Sequence, residues 1–87
     1  MQYLIEFRPS TIKELKRISK RDLIKIRSKI ESLSDDPKGI NTTKLKGNNS
    51  FYRIRSGNYR VIYEIRDNKL IVLVVKVGHR SDVYKRL

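Results

Sequence analysis

The sequence predicts an α+β domain: an N-terminal strand, an antiparallel helix pair, then a three-stranded antiparallel meander, with both helices packed on one face of the sheet. Three observations carry this. The apolar residues alternate at the start of the chain, take helical spacing between Ile12 and Leu33, and alternate again from Phe51 onward. Turn-forming residues fall between these stretches rather than inside them. Finally, 87 residues leave room for one core, so the chain reads as a single domain over 1–87.

Each element has its own signal. Tyr3, Ile5 and Phe7 share one face of a short strand over Gln2 to Phe7, and Pro9 stops it. A helix of about three turns begins within Pro9 to Thr11, where proline is tolerated in the first turn and Thr11-x-x-Glu14 has capping-box spacing. Its apolar side is Ile12, Leu15 and Ile18. A second helix begins near Ser19, whose spacing to Asp22 resembles another capping box, and places Leu23, Ile26, Ile30 and Leu33 on one stripe. Asp35, Asp36 and Pro37 end it. Lys38 to Ser50 reads as a loop, with Lys44-Leu45-Lys46-Gly47 as its anchor. Three strands follow: Phe51 to Arg55, Tyr59 to Arg66, and Leu70 to Val77, the last apolar on both faces as a central strand would be.

Composition narrows the function. With no cysteine, disulfides, thiolate metal sites and cysteine nucleophiles are excluded, and a single histidine argues against structural zinc, so no metal or cofactor is expected. No apolar run reaches 18 residues and none lies near Met1, so neither a spanning helix nor a signal peptide is expected, and the location expected is cytoplasmic. The net charge is +12, and it is unevenly placed: residues 1–36 hold nine bases against six acids, residues 37–87 twelve against three. Such a field favours polyanions.

The hairpin locates that charge. If Gly57 and Asn58 form a two-residue loop, Ser56 pairs with Tyr59, Arg55 with Arg60, Ile54 with Val61, Arg53 with Ile62 and Tyr52 with Tyr63. Tyr52, Ile54, Tyr59, Val61, Tyr63 and Ile65 then face the helices, while Arg53, Arg55 and Arg60 converge on the opposite face. Like charges directly across a ladder are destabilising, unless an anion sits between them. Arginine suits phosphate because its planar fork donates two parallel hydrogen bonds. A solvated sheet surface is the plain alternative. The last strand runs into Gly78, His79 and Arg80, where a glycine frees the backbone to bend; a two-residue turn at Asp67-Asn68 puts His79 on the arginine face, and a three-residue loop puts Arg80 there. His79 is the one side chain with an ordinary pKa near neutrality.

Taken together, Lys44-Leu45-Lys46-Gly47, Phe51-Tyr52-Arg53-Ile54-Arg55, Tyr59-Arg60-Val61-Ile62-Tyr63 and Val77-Gly78-His79-Arg80-Ser81-Asp82-Val83-Tyr84 resemble the RelE/ParE toxin superfamily over essentially the whole chain. The last two segments favour its RelE branch. The resemblance implies a RelE-like fold and the toxin of a type II toxin–antitoxin pair. Such a toxin is a ribosome-dependent endoribonuclease cutting mRNA in the A site, engaging mRNA and ribosomal RNA, and silenced by an acidic RelB-like antitoxin. It also implies attack of a ribose 2′-oxygen on the adjacent phosphate. Arg53 and Arg55 fall where the pattern has basic strand residues, mostly lysine, and Arg60, Arg80 and Tyr84 match its Arg, Arg and Tyr. Lys44 and Lys46 are candidate contacts to RNA or the ribosome. Arginine is a poor proton acceptor, which leaves three readings: Arg53 and Arg55 act purely by charge, His79 takes over the proton, or catalysis is weak. A ParE-like DNA gyrase poison and a non-catalytic basic nucleic-acid-binding relative are the alternatives.

Overall fold

A computed structural model describes residues 2–85. The elements run β1 (Leu4–Phe7), α1 (Pro9–Lys16), α2 (Lys20–Asp35), β2 (Thr42–Lys44), β3 (Phe51–Ser56), β4 (Tyr59–Arg66) and β5 (Ile71–His79). They form one five-stranded sheet in the order β1-β5-β4-β3-β2. The predicted meander is its centre, with antiparallel β3–β4 and β4–β5 pairs. The N-terminal strand lies parallel to β5, Leu4 opposite Ile71 and Phe7 opposite Val74. The α+β class holds, on a mixed sheet.

The segment Lys38 to Ser50 is not all loop. Thr42–Lys44 forms β2, antiparallel to β3, with Thr43 opposite Arg53 and Lys44 opposite Tyr52. Two adjacent threonines favour a strand, but glycine and asparagine on both sides hid so short a run. The first helix also departs from expectation, at eight residues rather than three turns. Proline does occupy its first turn, yet Arg8 is the N-cap and no side chain caps it. Thr11 is buried and its hydroxyl donates to the Arg8 carbonyl at 2.6 Å. Glu14 instead reaches β5, where its carboxylate accepts the Val77 N–H at 2.9 Å. That amide lies beyond the end of β1, so Glu14 satisfies a strand edge that would otherwise be open. The second helix begins as its sequence predicts, with the Ser19 hydroxyl accepting the Asp22 N–H at 3.3 Å.

The main core lies between helices and sheet. Ile26, Ile30 and Leu33 of α2 meet Ile54, Val61, Tyr63, Val72, Val74 and Val77. The Tyr63 hydroxyl, fully buried, donates to the Pro37 carbonyl at 2.6 Å and fixes the chain where it leaves α2. Burial pushes the Tyr63 phenol up to about 12. On the far face a smaller cluster of Ile62, Val75 and Val83 packs against Leu45, Phe51 and Leu73. Val83 belongs to the segment after β5, so this cluster is what seats that segment against the sheet.

The β3–β4 register is the one the hairpin predicts, from Ser56 opposite Tyr59 through Tyr52 opposite Tyr63, and Gly57 takes φ +58° in the turn. The β4–β5 connection is different from both loop lengths expected. Arg66 pairs with Ile71, leaving four residues between them, with Leu70 at φ 53°. A bulge then interrupts the ladder: Tyr63 faces Val74 but Ile62 faces Lys76, leaving Val75 as the extra residue. Because side chains alternate, that one residue exchanges the two faces of β5 beyond it.

Candidate active site

The bulge decides which side chains reach the arginine face. With it, Arg60 lies opposite Gly78, and Tyr59 opposite His79. Without it, the same loop would set Arg60 against Val77 and turn His79 to the arginine side. Gly78 therefore presents no side chain next to Arg60. Its φ is outside the left-handed region, and a Cβ there would meet Val83 at 3.6 Å, an ordinary contact. The glycine leaves a bare place in the sheet; it does not supply the bend expected from the sequence.

Five of the predicted residues gather on this face. Arg55 stands directly across the ladder from Arg60, and Arg53 lies two residues along the same strand. The Arg53 guanidinium donates to the Tyr84 hydroxyl at 2.8 Å, tying the C-terminal segment to the cluster. Tyr84 remains 41% exposed, so its ring is held at one end and open to a partner. Arg80 follows β5, and its N–H donates to the Asn58 carbonyl at 2.7 Å, which docks it beside the β3–β4 turn. Arg60 donates to the carbonyls of Gly57 and Tyr59 at 2.9 and 3.0 Å, which fixes its direction. Desolvation pulls the Arg60 guanidinium below its usual value; Tyr84 acts in the opposite sense, and the charges of Arg53, Arg55 and Arg80 lower it further.

Among the described residues no acid pairs with these charges. The ion pairs among the described residues join Arg8 and Arg66 to Glu64, Arg27 to Glu31, and Lys85 to Asp82. Arg53, Arg55, Arg60 and Arg80 take part in none of them. A groove of about 470 Å³ opens beside the cluster, lined by Arg53, Arg55, Arg60, Ile40, Asn41 and, from α2, Lys29. Lys29 was not singled out in the sequence, where nothing marks which sheet edge this helix flank overhangs. Among the described residues no three His, Cys, Asp or Glu side chains group as metal ligands.

Three candidates lie elsewhere. His79 packs edge-on against Tyr59, ring centroids 6.0 Å apart, on the helix-facing side, with Nδ1 3.0 Å from the Ser81 hydroxyl. Lys44 shares the face of Tyr52, lying 5.6 Å over its ring and donating to the Asn49 carbonyl at 2.6 Å, so it closes the 45–50 loop. Lys46 lines a shallow cleft with Leu45, Asn49, Phe51 and Tyr84, at the margin of the arginine face.

Comparison with known proteins places the chain in a family. Residues 5–84 match the sequence model of the ParE toxin of the type II toxin–antitoxin system parDE. The chain belongs to the RelE/ParE toxin family. It is 35% identical to a RelE-like toxin protein of Escherichia coli, over 97% of this chain and 92% of that one. It is 32% identical to the mRNA interferase toxin RelE of Escherichia coli K12, with the same coverage. Its fold is similar to the RelBE2 toxin–antitoxin complex of Mycobacterium tuberculosis (TM-score 0.83, 24% identity, 92% of this chain and 100% of that one). It is also similar to the intact RelBE complex of Escherichia coli (TM-score 0.77, 29% identity, 88% of this chain and 95% of that one). The family model carries the ParE name, whereas these relatives carry the RelE name.

Proposed function

We propose that this family member is an endoribonuclease, an mRNA interferase of the RelE type, which cuts mRNA in the ribosomal A site and so inhibits translation. The observation that carries the reading is Arg55 set against Arg60 beside Arg53 and Arg80, with no acid paired to any of them among the described residues. Such an arrangement is unfavourable in the free protein and favourable around a phosphate. When a ribose 2′-oxygen attacks the adjacent phosphorus, its proton passes to solvent and the P–O5′ bond breaks, with O5′ taking a proton from solvent, leaving a 2′,3′-cyclic phosphate and a 5′-hydroxyl. The transition state is a phosphorane-like dianion. Fixed guanidinium groups aimed at it are the largest help this face can give. Arg60 and Arg80 take that role, Arg53 and Arg55 add charge, and Tyr84, its hydroxyl held by Arg53, stacks on a base.

His79 lies across the sheet against Tyr59, which supports a purely electrostatic role for the arginine pair over proton transfer by the histidine. A small protein has little surface for bending RNA, so the ribosome supplies much of the positioning. A field of +12 is silenced by an acidic RelB-like antitoxin that also covers apolar surface. The complexes formed by the relatives support that partner. The site of action is the cytoplasm. Primer extension on translating ribosomes tests the reading: cuts in frame with the A-site codon are expected, with naked mRNA cut poorly. The ParE name of the matching family favours the second reading, gyrase poisoning. Gyrase-dependent DNA breaks with intact mRNA would establish it instead.

A further inference from the structure

We infer that the groove between the β3 edge and α2 is a seat for a second backbone phosphate of the RNA strand, next to the one that is cut, and that Lys29 is its outer cation. The inference rests on the ribonuclease reading and extends it to a helix outside the arginine face. Beyond Thr42 the short strand β2 no longer covers β3, so Arg55 and Gly57 lie on an open edge. There the groove passes from Arg60 and Arg55 to Lys29 of α2, and its lining includes no acid. Lys29 is half-buried and, among the described residues, makes no ion pair. A lysine whose stem is packed and whose charge is unanswered presents its ammonium as a point charge for phosphate.

Two neighbours fit the same ligand. Ile40 is fully exposed at the lip, an apolar surface on which the sugar or base attached to that phosphate can rest. Asn41 adds a polar side chain beside it. The track is short. The adjoining cleft behind Ile40 is lined by Ser28, Ser32 and Asp36, with no cation besides Lys29, so a strand following the groove meets an acid after one phosphate. The seat is thus predicted to hold one phosphate and no more.

The test uses the full-length protein and short RNA oligonucleotides carrying a 2′-deoxyribose at the attacked position, so that binding is read without cleavage. Titration calorimetry at about 50 mM salt, where phosphate contacts are strong, compares strands lengthened one nucleotide at a time at either end. One extension should tighten binding by roughly three- to tenfold, and the next in the same direction by less than twofold. Lys29→Gln should abolish that step and lower the slope of log K against log salt by about 0.7, the value for one single-strand phosphate. Lys25→Gln removes the same charge from an exposed position of the same helix outside the groove, and should retain the step. Equal loss in both variants would reduce the effect to net charge and overturn the seat. So would an unchanged step in Lys29→Gln. If Lys29→Gln weakens binding only to ribosomes lacking mRNA, the ligand is ribosomal RNA and the assignment to the cut strand fails. Because nothing is cleaved here, failure of A-site cutting in the primer-extension assay and loss of the phosphate step are separate results.

Discussion

Alternate residues of the same strands build two very different surfaces. On the helix side of β3 and β4, Ile54, Val61 and Tyr63 are buried against α2. One residue along, Arg53, Arg55 and Arg60 face outward beside Tyr84 and the small Ile62–Val75–Val83 cluster. The first surface lowers the free energy of the fold by removing apolar area from water. The second raises it, because Arg55 and Arg60 repel each other across the ladder. A sheet whose stability resides on one face is free to hold an unfavourable charge arrangement on the other. The two faces should therefore respond oppositely to substitution, in stability as well as in activity.

The largest expected stability effect is on the helix face. Ile26 is fully buried, so Ile26→Ala should cost about 2–5 kcal/mol in denaturant unfolding. For a domain of this size that approaches the whole stability, and a loss under 1 kcal/mol would mean that the core is not where the faces differ. Tyr63 sharpens the contrast through pH. Its phenol is pushed up to about 12 in the fold, against about 10 unfolded, so the folded state holds this proton more tightly. Its contribution is intact below pH ~10 and is lost progressively as pH rises from ~10 to ~12, by up to about 3 kcal/mol. Tyr63→Phe, which gives up the bond to Pro37, should be about 1 kcal/mol less stable at pH 7 and lack that alkaline component of the loss. The smallest effect has the opposite sign. Arg55→Thr relieves the like-charge pair and should raise stability by about 0.2–1 kcal/mol, most at low salt, as chemical unfolding would read.

What the sequence revealed follows the range of the interactions involved. The β3–β4 register was legible because a two-residue turn at Gly57-Asn58 fixes every pair beyond it, and the start of α2 because Ser19 caps locally. The arginine face followed directly. The rest depended on distant partners. β1 pairs with β5 across nearly the whole chain, and Glu14, which looked like a capping residue, is drawn to the Val77 amide. The bulge at Val75 is the most consequential of these. Nothing in the run Val74-Val75-Lys76-Val77 marks an extra residue, since valine suits either face. Yet the bulge turns His79 toward Tyr59 and brings Arg80 to the cluster. The position of Lys44 was hidden for a similar reason: the strand that directs it over Tyr52 is three residues long.

The central claim is that charge on the arginine face, not proton transfer by His79, drives cleavage. Arg60 is a poor probe, because its guanidinium also holds the Gly57 and Tyr59 carbonyls at the hairpin turn. Arg80 is cleaner: its backbone docks on Asn58, and its side chain carries no hydrogen bond or ion pair among the described residues. The decisive measurement is single-turnover cleavage on programmed ribosomes for Arg80→Ala and His79→Ala, from about pH 5.5 to 8.5 around the ordinary histidine value. Arg80→Ala should lose roughly 10²- to 10³-fold in rate with its unfolding midpoint unchanged. His79→Ala should lose less than about tenfold, well short of the 10²- to 10⁴-fold typical of a removed acid or base, with the wild-type pH profile retained. Near wild-type activity in Arg80→Ala, or a loss of 10²-fold or more in His79→Ala that abolishes a pH dependence near neutrality, would contradict the account.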